Sequence, residues 1–215
     1  MDIVVDAMKT ILSFTRDGGP GVYSPLEYYP AVFVFYSVAI VALELGNCKY
    51  LAALMLNVTP KDENRKEAPA IRILNPTHIF HDTQELKRVL DPEGRVFTPA
   101  HNYMFGRLKN SLREYFVEEK EFEFRYDLLE YLIGMVHIDI FARDEAEPWA
   151  PAARLGWKFE YSSGFQNRIT EHLNINAKSL LQVGFFDGNQ SRLEASSRKY
   201  WSRISRLEIW PKSGV

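Results

Sequence analysis

The chain has 215 residues, 46% of them hydrophobic, enough to bury a sizeable core as one domain spanning residues 1–215. Its 26 basic and 28 acidic side chains leave a formal charge of −2, so no global attraction draws it to a polyanion or an anionic lipid surface, and composition argues against a histone-like or RNA-coating role. A single cysteine, Cys48, excludes an internal disulfide and a four-cysteine zinc site, and fits a reducing, cytoplasmic setting.

The N-terminal stretch MDIVVDAMKTILSFTRDGG has aspartates where a secretory signal carries positive charge, and its apolar positions are interrupted by polar ones, so it reads as an amphipathic helix of a cytosolic protein. Gly18-Gly19-Pro20-Gly21 lacks the lysine and Ser/Thr of a phosphate loop and reads as a turn. Residues 28–43, YYPAVFVFYSVAIVAL, run for 16 residues without a charge. At about 1.5 Å per residue they fall short of a hydrocarbon core of roughly 30 Å, and no Lys or Arg flanks them, so no membrane span is expected. Ser24-Pro25-Leu26-Glu27 has the form of a capping box with proline at the first helical position, and Gly46 can stop a helix. A helix over about 25–45 follows, with Pro30 kinking it or dividing off a short first turn. Apolar on every face, it is predicted to be surrounded by other elements as the hub of the core. Residues 48–57, CKYLAALMLN, follow at once and complete a helical hairpin. Ala39, Gly46, Tyr50 and Ala53 give that hairpin the look of one tetratricopeptide-type unit, but no second copy follows at a period near 34 residues.

Six of the seven residues from Lys61 to Glu67 are charged, which marks a surface loop, and 70-AIRIL-74 reads as a short strand. Asp82 or Thr83 caps a helix to about Leu90, and Asp91-Pro92-Glu93-Gly94 is a turn. Thr98-Pro99 opens a helix to about Phe116, and Phe124, Leu128, Leu132 and Met135 mark a long one from Lys120 to about Phe141. Residues 145–161 read as irregular. Ser163-Gly164-Phe165-Gln166 caps a helix near 164–173, and a last helix runs from Gln190 to about Leu207. The expected class is all-α: an irregular helical bundle built around a buried central helix and a helical hairpin.

Chemistry-bearing residues are sparse, and no cofactor motif is present. His78-x-x-His81-Asp82 and His137-x-Asp139 could supply nitrogen and carboxylate ligands to one metal, but neither spacing matches a defined metal motif, and Asp82 also serves as a helix cap. Glu130 and His137 lie two turns apart on one helix face with Asp127 a turn earlier, a pattern that suits acid–base chemistry or interhelical hydrogen bonds. Cys48, at the start of an apolar helix, reads as an inert thiol. The Arg95–His101 spacing is similar to the arginine–histidine pair of helical ribonucleases of the HEPN type, but Thr98-Pro99 starts a helix between the two. In residues 190–207 five basic side chains stand against one acidic. Arg192, Lys199, Arg203 and Arg206 share a face, while Leu193, Tyr200, Ile204 and Leu207 mark a core-facing stripe. With Trp201 nearby this face could grip phosphates of a nucleic acid, or it could pair with the acid-rich stretch 114–130 or with a partner protein.

Tyr29-Pro30-Ala31, Gly46-x-x-x-Tyr50-Leu51-Ala52-Ala53-Leu54, Leu74-Asn75-Pro76, Thr98-Pro99, Tyr126-Asp127-x-x-Glu130-Tyr131-Leu132 and Trp149-Ala150-Pro151 occur in an order that resembles a helical region in the C-terminal parts of bacterial multidomain proteins. Those proteins carry a sirtuin-like, TIR-like or NTPase module upstream and are associated with antiphage defence. The resemblance covers most of residues 25–157, and its motifs are structural. It implies a sensor, scaffold or oligomerisation domain. The helical pattern without a catalytic signature gives the first reading, a non-enzymatic domain that binds a partner protein or an upstream domain; a homo-oligomer fits this reading. A metal-dependent hydrolase or nuclease using the histidine and aspartate clusters, and nucleic-acid binding through the last helix, are the alternatives.

Overall fold

The computed structural model describes residues 2–14, 26–59, 69–76, 88–96, 98–146, 149–152, 154–162 and 164–207. Among these residues every regular element is helical and none is a strand, so the chain is all-α. It divides into two compact units, Met1–Leu129 and Glu130–Val215.

In the first unit α1 (Asp2–Ser13) buries Met8 and Leu12. A single 3-10 turn over 26–28 leads into α2 (Tyr29–Glu44), so Pro30 falls in the first turn of α2, where its missing N–H costs no helical bond. This is the division expected at Pro30; Ser24 and Pro25 lie outside the described residues. The continuous helical run Leu26–Glu44 is 19 residues long with a mean hydropathy of 1.7, so by length and composition it meets the requirement for a membrane span. Its inner face, Ala31, Val32, Phe35, Tyr36, Ala39, Ile40 and Ala42, is buried in the core. Phe33, Val34, Val38 and Val41 are only partly covered, so the helix is a core element with one half-open face and not one enclosed all round.

Gly46 takes φ 62°, and the Asn47 side chain accepts from the Tyr50 N–H at 3.3 Å, which turns the chain into α3 (Cys48–Ala52). This is the expected hairpin. A π-helical turn, Ala53–Asn57, continues α3 and buries Ala53, Leu54 and Met55. The expected strand at 70–74 is instead a 3-10 turn, Ala70–Arg72, with Ala70, Ile71, Ile73 and Leu74 buried. Its backbone closes on itself through Leu74 N–H to Ala70 C=O at 2.8 Å; among the described residues no strand offers a ladder to join. Asp91–Gly94 is a turn as expected: the Gly94 N–H reaches the Asp91 carbonyl at 3.1 Å, and the Asp91 carboxylate accepts from the Val96 N–H at 2.7 Å.

Helix α4 (Pro99–Ser111) stops short of the expected end at Phe116 because residues 112–115 turn. The long helix α5 (Glu119–Phe141) contains the boundary between the units. Its first turns carry Phe122 and Tyr126 into a cluster with Phe105 and Phe116, with ring centroids 5.3–6.3 Å apart. The Tyr126 hydroxyl donates to the His101 carbonyl at 3.2 Å, and Arg125 donates to Glu44 at 2.6 Å. These bonds tie α5 to α4 and to the end of α2.

The second unit holds the rest of α5 with α6 (Leu155–Tyr161), α7 (Phe165–Gln182) and α8 (Gln190–Ile204). Helix α6 falls where the sequence reads as irregular. Helix α7 outruns its expected end at 173 because Leu173, Ala177 and Leu180 extend the buried stripe begun by Ile169. The link from α7 to α8 is left-handed at Gly184, Phe186, Asp187 and Gly188, with φ of 102°, 52°, 57° and 66°. Helix α8 lies very close to α5 at Gly134: a Cβ there would stand 2.1 Å from the Tyr200 ring. The Trp201 ring stacks on Tyr131 at 4.9 Å and on Phe159 at 5.8 Å.

Candidate functional site

The basic helix α8 starts at Asn189, whose side chain accepts from the Arg192 N–H at 3.2 Å. Its buried side is Leu193, Ser196, Tyr200, Trp201 and Ile204, so three of the four predicted core positions are buried, and Leu207 is half-exposed. Trp201 belongs to this buried side. Its indole N–H donates to the Thr170 hydroxyl at 3.2 Å, and the residue is 6% exposed with its ring stacked on Tyr131 and Phe159, which removes it as a stacking platform for a base.

The charged side of α8 is engaged on its own unit. The Arg192 guanidinium meets Asp139 in a fork, Nε at 2.9 Å and Nη2 at 2.6 Å, and its Nη1 reaches Asp187 at 2.9 Å. The Asp139 side chain is only 4% exposed, and the Arg192 side chain 22%. Hydrogen bonding to Asp139 pushes the Arg192 pKa further up. Lys199 donates to the backbone carbonyls of Arg143 and Glu145, and Arg203 donates to the Ala150 carbonyl at 3.0 Å. Arg206 is exposed. Arg192, Lys199 and Arg203 therefore take partners from residues 139–150 and from Asp187, where charge counting pointed to 114–130. The sequence understated this arrangement because two of the three cations bind peptide carbonyls, which carry no sequence signal.

Of the metal candidates, His78, His81 and Asp82 lie outside the described residues. Among the described residues no group of three or more His, Cys, Asp or Glu is arranged to hold a metal ion. His137 is buried against the rings of Phe141 and Trp149, with centroids 4.9 and 5.1 Å away, while both oxygens of Asp139 receive Arg192. Asp127 and Glu130, on the same helix, are each 2% exposed. Glu130 adds its charge to burial in raising the Tyr200 hydroxyl well above its usual range, burial being the larger cause. Tyr200 donates to the Pro151 carbonyl at 2.8 Å. Cys48 is a free, half-buried thiol whose pKa burial pushes up, which suits an inert role. Arg95 is exposed and paired with Glu93 at 2.9 Å, whereas His101 is buried, so a helix boundary separates two quite different environments.

Sequence reasoning missed Arg154 and Lys158. They are 7% and 6% exposed and stand over the Trp157 ring at 5.7 and 5.6 Å, with Lys158 also 5.8 Å from the Phe165 ring. Their four-residue spacing beside a tryptophan was readable, but only as part of a helix that the sequence did not reveal. No family model, curated protein or solved structure matches the chain.

Proposed function

We propose that the chain is a non-enzymatic helical interaction or scaffold domain, in which the charged groups of the second unit serve the fold. The observation that carries this reading is the Arg192–Asp139 fork: a buried carboxylate already neutralised by a guanidinium is a poor metal ligand, and the guanidinium is a poor phosphate clamp. Lys199 and Arg203 are spent in the same way on backbone carbonyls. The resemblance over residues 25–157 supports a sensor or scaffold module attached to a larger bacterial defence system. The test is charge reversal of Arg192, Lys199, Arg203 and Arg206 together. The expected result is a lower melting temperature, with retention of a single-stranded oligonucleotide at background before and after the change. Low-salt oligonucleotide binding that falls with a log–log slope of about −0.7 per phosphate, and vanishes in the variant at unchanged melting temperature, would establish nucleic-acid binding instead.

A further inference from the structure

The first unit carries two surface patches, one on α4 and one just beyond its end. The first patch forms where Tyr29 and Phe33, one turn apart on α2, meet Tyr103 and Arg107, one turn apart on α4. The Tyr29 ring centroid stands 6.2 Å from both Phe33 and Tyr103, and the Tyr103 and Arg107 side chains both act on its hydroxyl, whose pKa burial raises. Tyr103 is 38% exposed, and Arg107 is exposed. Beside them Gly106 opens onto empty space, with no atom within 4 Å of where a Cβ would be. Tyrosine and arginine are the side chains that most often anchor interfaces.

The second patch is the turn after α4. Phe116 is 7% exposed and packs edge-on against Phe122 at 5.4 Å, which pins the turn and leaves its neighbours outside. Val117 is 99% exposed and Tyr115 65%. Glu114 and Glu118 flank them, both exposed. Two apolar side chains are thus held in water between two carboxylates, opposite in charge to the patch centred on Arg107.

We infer that a second copy of the chain covers both patches. Tyr115 and Val117 of each copy seat on Tyr29, Phe33 and Tyr103 of the other, with Glu114 and Glu118 against Arg107. The same contact is made twice about a two-fold axis, as an isologous dimer requires. From Tyr103 to Ser111 the helix rises roughly 12 Å at about 1.5 Å per residue, so two antiparallel copies of α4 carry each patch over its complement. Gly106 and Asn110 then lie near the axis, where small side chains let the helices approach. Carboxylates on the tip disfavour a polyanion as occupant. This inference rests on the reading of the chain as an interaction domain and names its partner.

Sedimentation velocity over a range of concentrations tests it on the full chain. The wild type is expected to show a concentration-dependent dimer. Arg107→Glu alone, and Glu114→Arg with Glu118→Arg, are each expected to weaken it at least about tenfold through like-charge contacts, with unchanged circular dichroism. Mixing the two variants is expected to restore a dimer, because in the mixed pair both contacts are again of opposite charge. A wild type that stays monomeric, a dimer indifferent to both variants, or a mixture that fails to recover overturns the inference. A monomer that captures a different protein through these patches would overturn self-association alone and leave the scaffold reading standing.

Discussion

Gly134 and Tyr200 show how one residue sets a helix–helix distance. Because a methyl group at position 134 would stand 2.1 Å from the Tyr200 ring, Gly134→Ala must push α8 away or force the tyrosine off its rotamer. Overpacking of this kind costs about 1–3 kcal/mol, so urea denaturation is expected to show a loss in that range. Tyr200 also makes stability depend on alkaline pH. Burial raises its hydroxyl pKa and that of Tyr131 in the folded chain, while an unfolded tyrosine ionises near pH 10. Below pH 10 both states keep these protons and the pair contributes no pH dependence. Above it the unfolded state loses protons that the folded state retains, so stability falls, by up to about 1.4 kcal/mol per pH unit for each tyrosine. Denaturation curves above pH 10 are expected to weaken accordingly, and Tyr200→Phe to flatten the slope by about one proton; an unchanged slope in that variant contradicts the assignment.

At the scale of elements, the left-handed link between α7 and α8 carries its own prediction. Asp187 holds φ 57° and offers its exposed carboxylate to Arg192. Asparagine tolerates this conformation, and an exposed ion pair contributes only about 0–1 kcal/mol, so Asp187→Asn is expected to be nearly neutral. Asp187→Val puts a β-branched residue where its Cβ is crowded and is expected to cost about 1–2 kcal/mol, measured by the same urea titration. Helices announced by turn residues and apolar patterning were legible in the sequence: α2 by its uncharged run and Gly46, α3 by the apolar segment directly after Gly46, α4 at Thr98-Pro99, and α5 by its apolar spacing. Helix α6 was not, because Trp149 and Pro151 stand just before it and its seven residues are too few to show a helical period. Residues 70–74 misled because a short apolar run suits a strand as well as a buried turn, and only a neighbouring strand could decide. The linker's left-handed Phe186 had no sequence signal at all.

Across the whole chain, the two units use charge differently. In the first, Arg125 and Glu44 fasten α5 to α2, while Arg107, Glu114 and Glu118 remain on the surface. In the second, Arg192, Lys199 and Arg203 hold α8 to the residues that follow and end α5. The basic face of α8 was legible in the sequence, but its partners were not, since Asp139 sits 53 residues away from Arg192 and the other acceptors are carbonyls. The central claim is that this face serves the fold. A double-mutant cycle of Arg192→Ala and Asp139→Ala, followed by urea denaturation, tests it most directly. Arg192→Ala is expected to destabilise by several kcal/mol, because the buried Asp139 carboxylate is left facing Arg143 at 3.6 Å without its fork. Asp139→Ala is expected to cost less, because the partly exposed Arg192 keeps Asp187 at 2.9 Å, and the pair is expected to couple by about 1–3 kcal/mol. Single changes that barely alter stability and add to within about 0.5 kcal/mol would contradict it, and would leave the basic face free for a ligand.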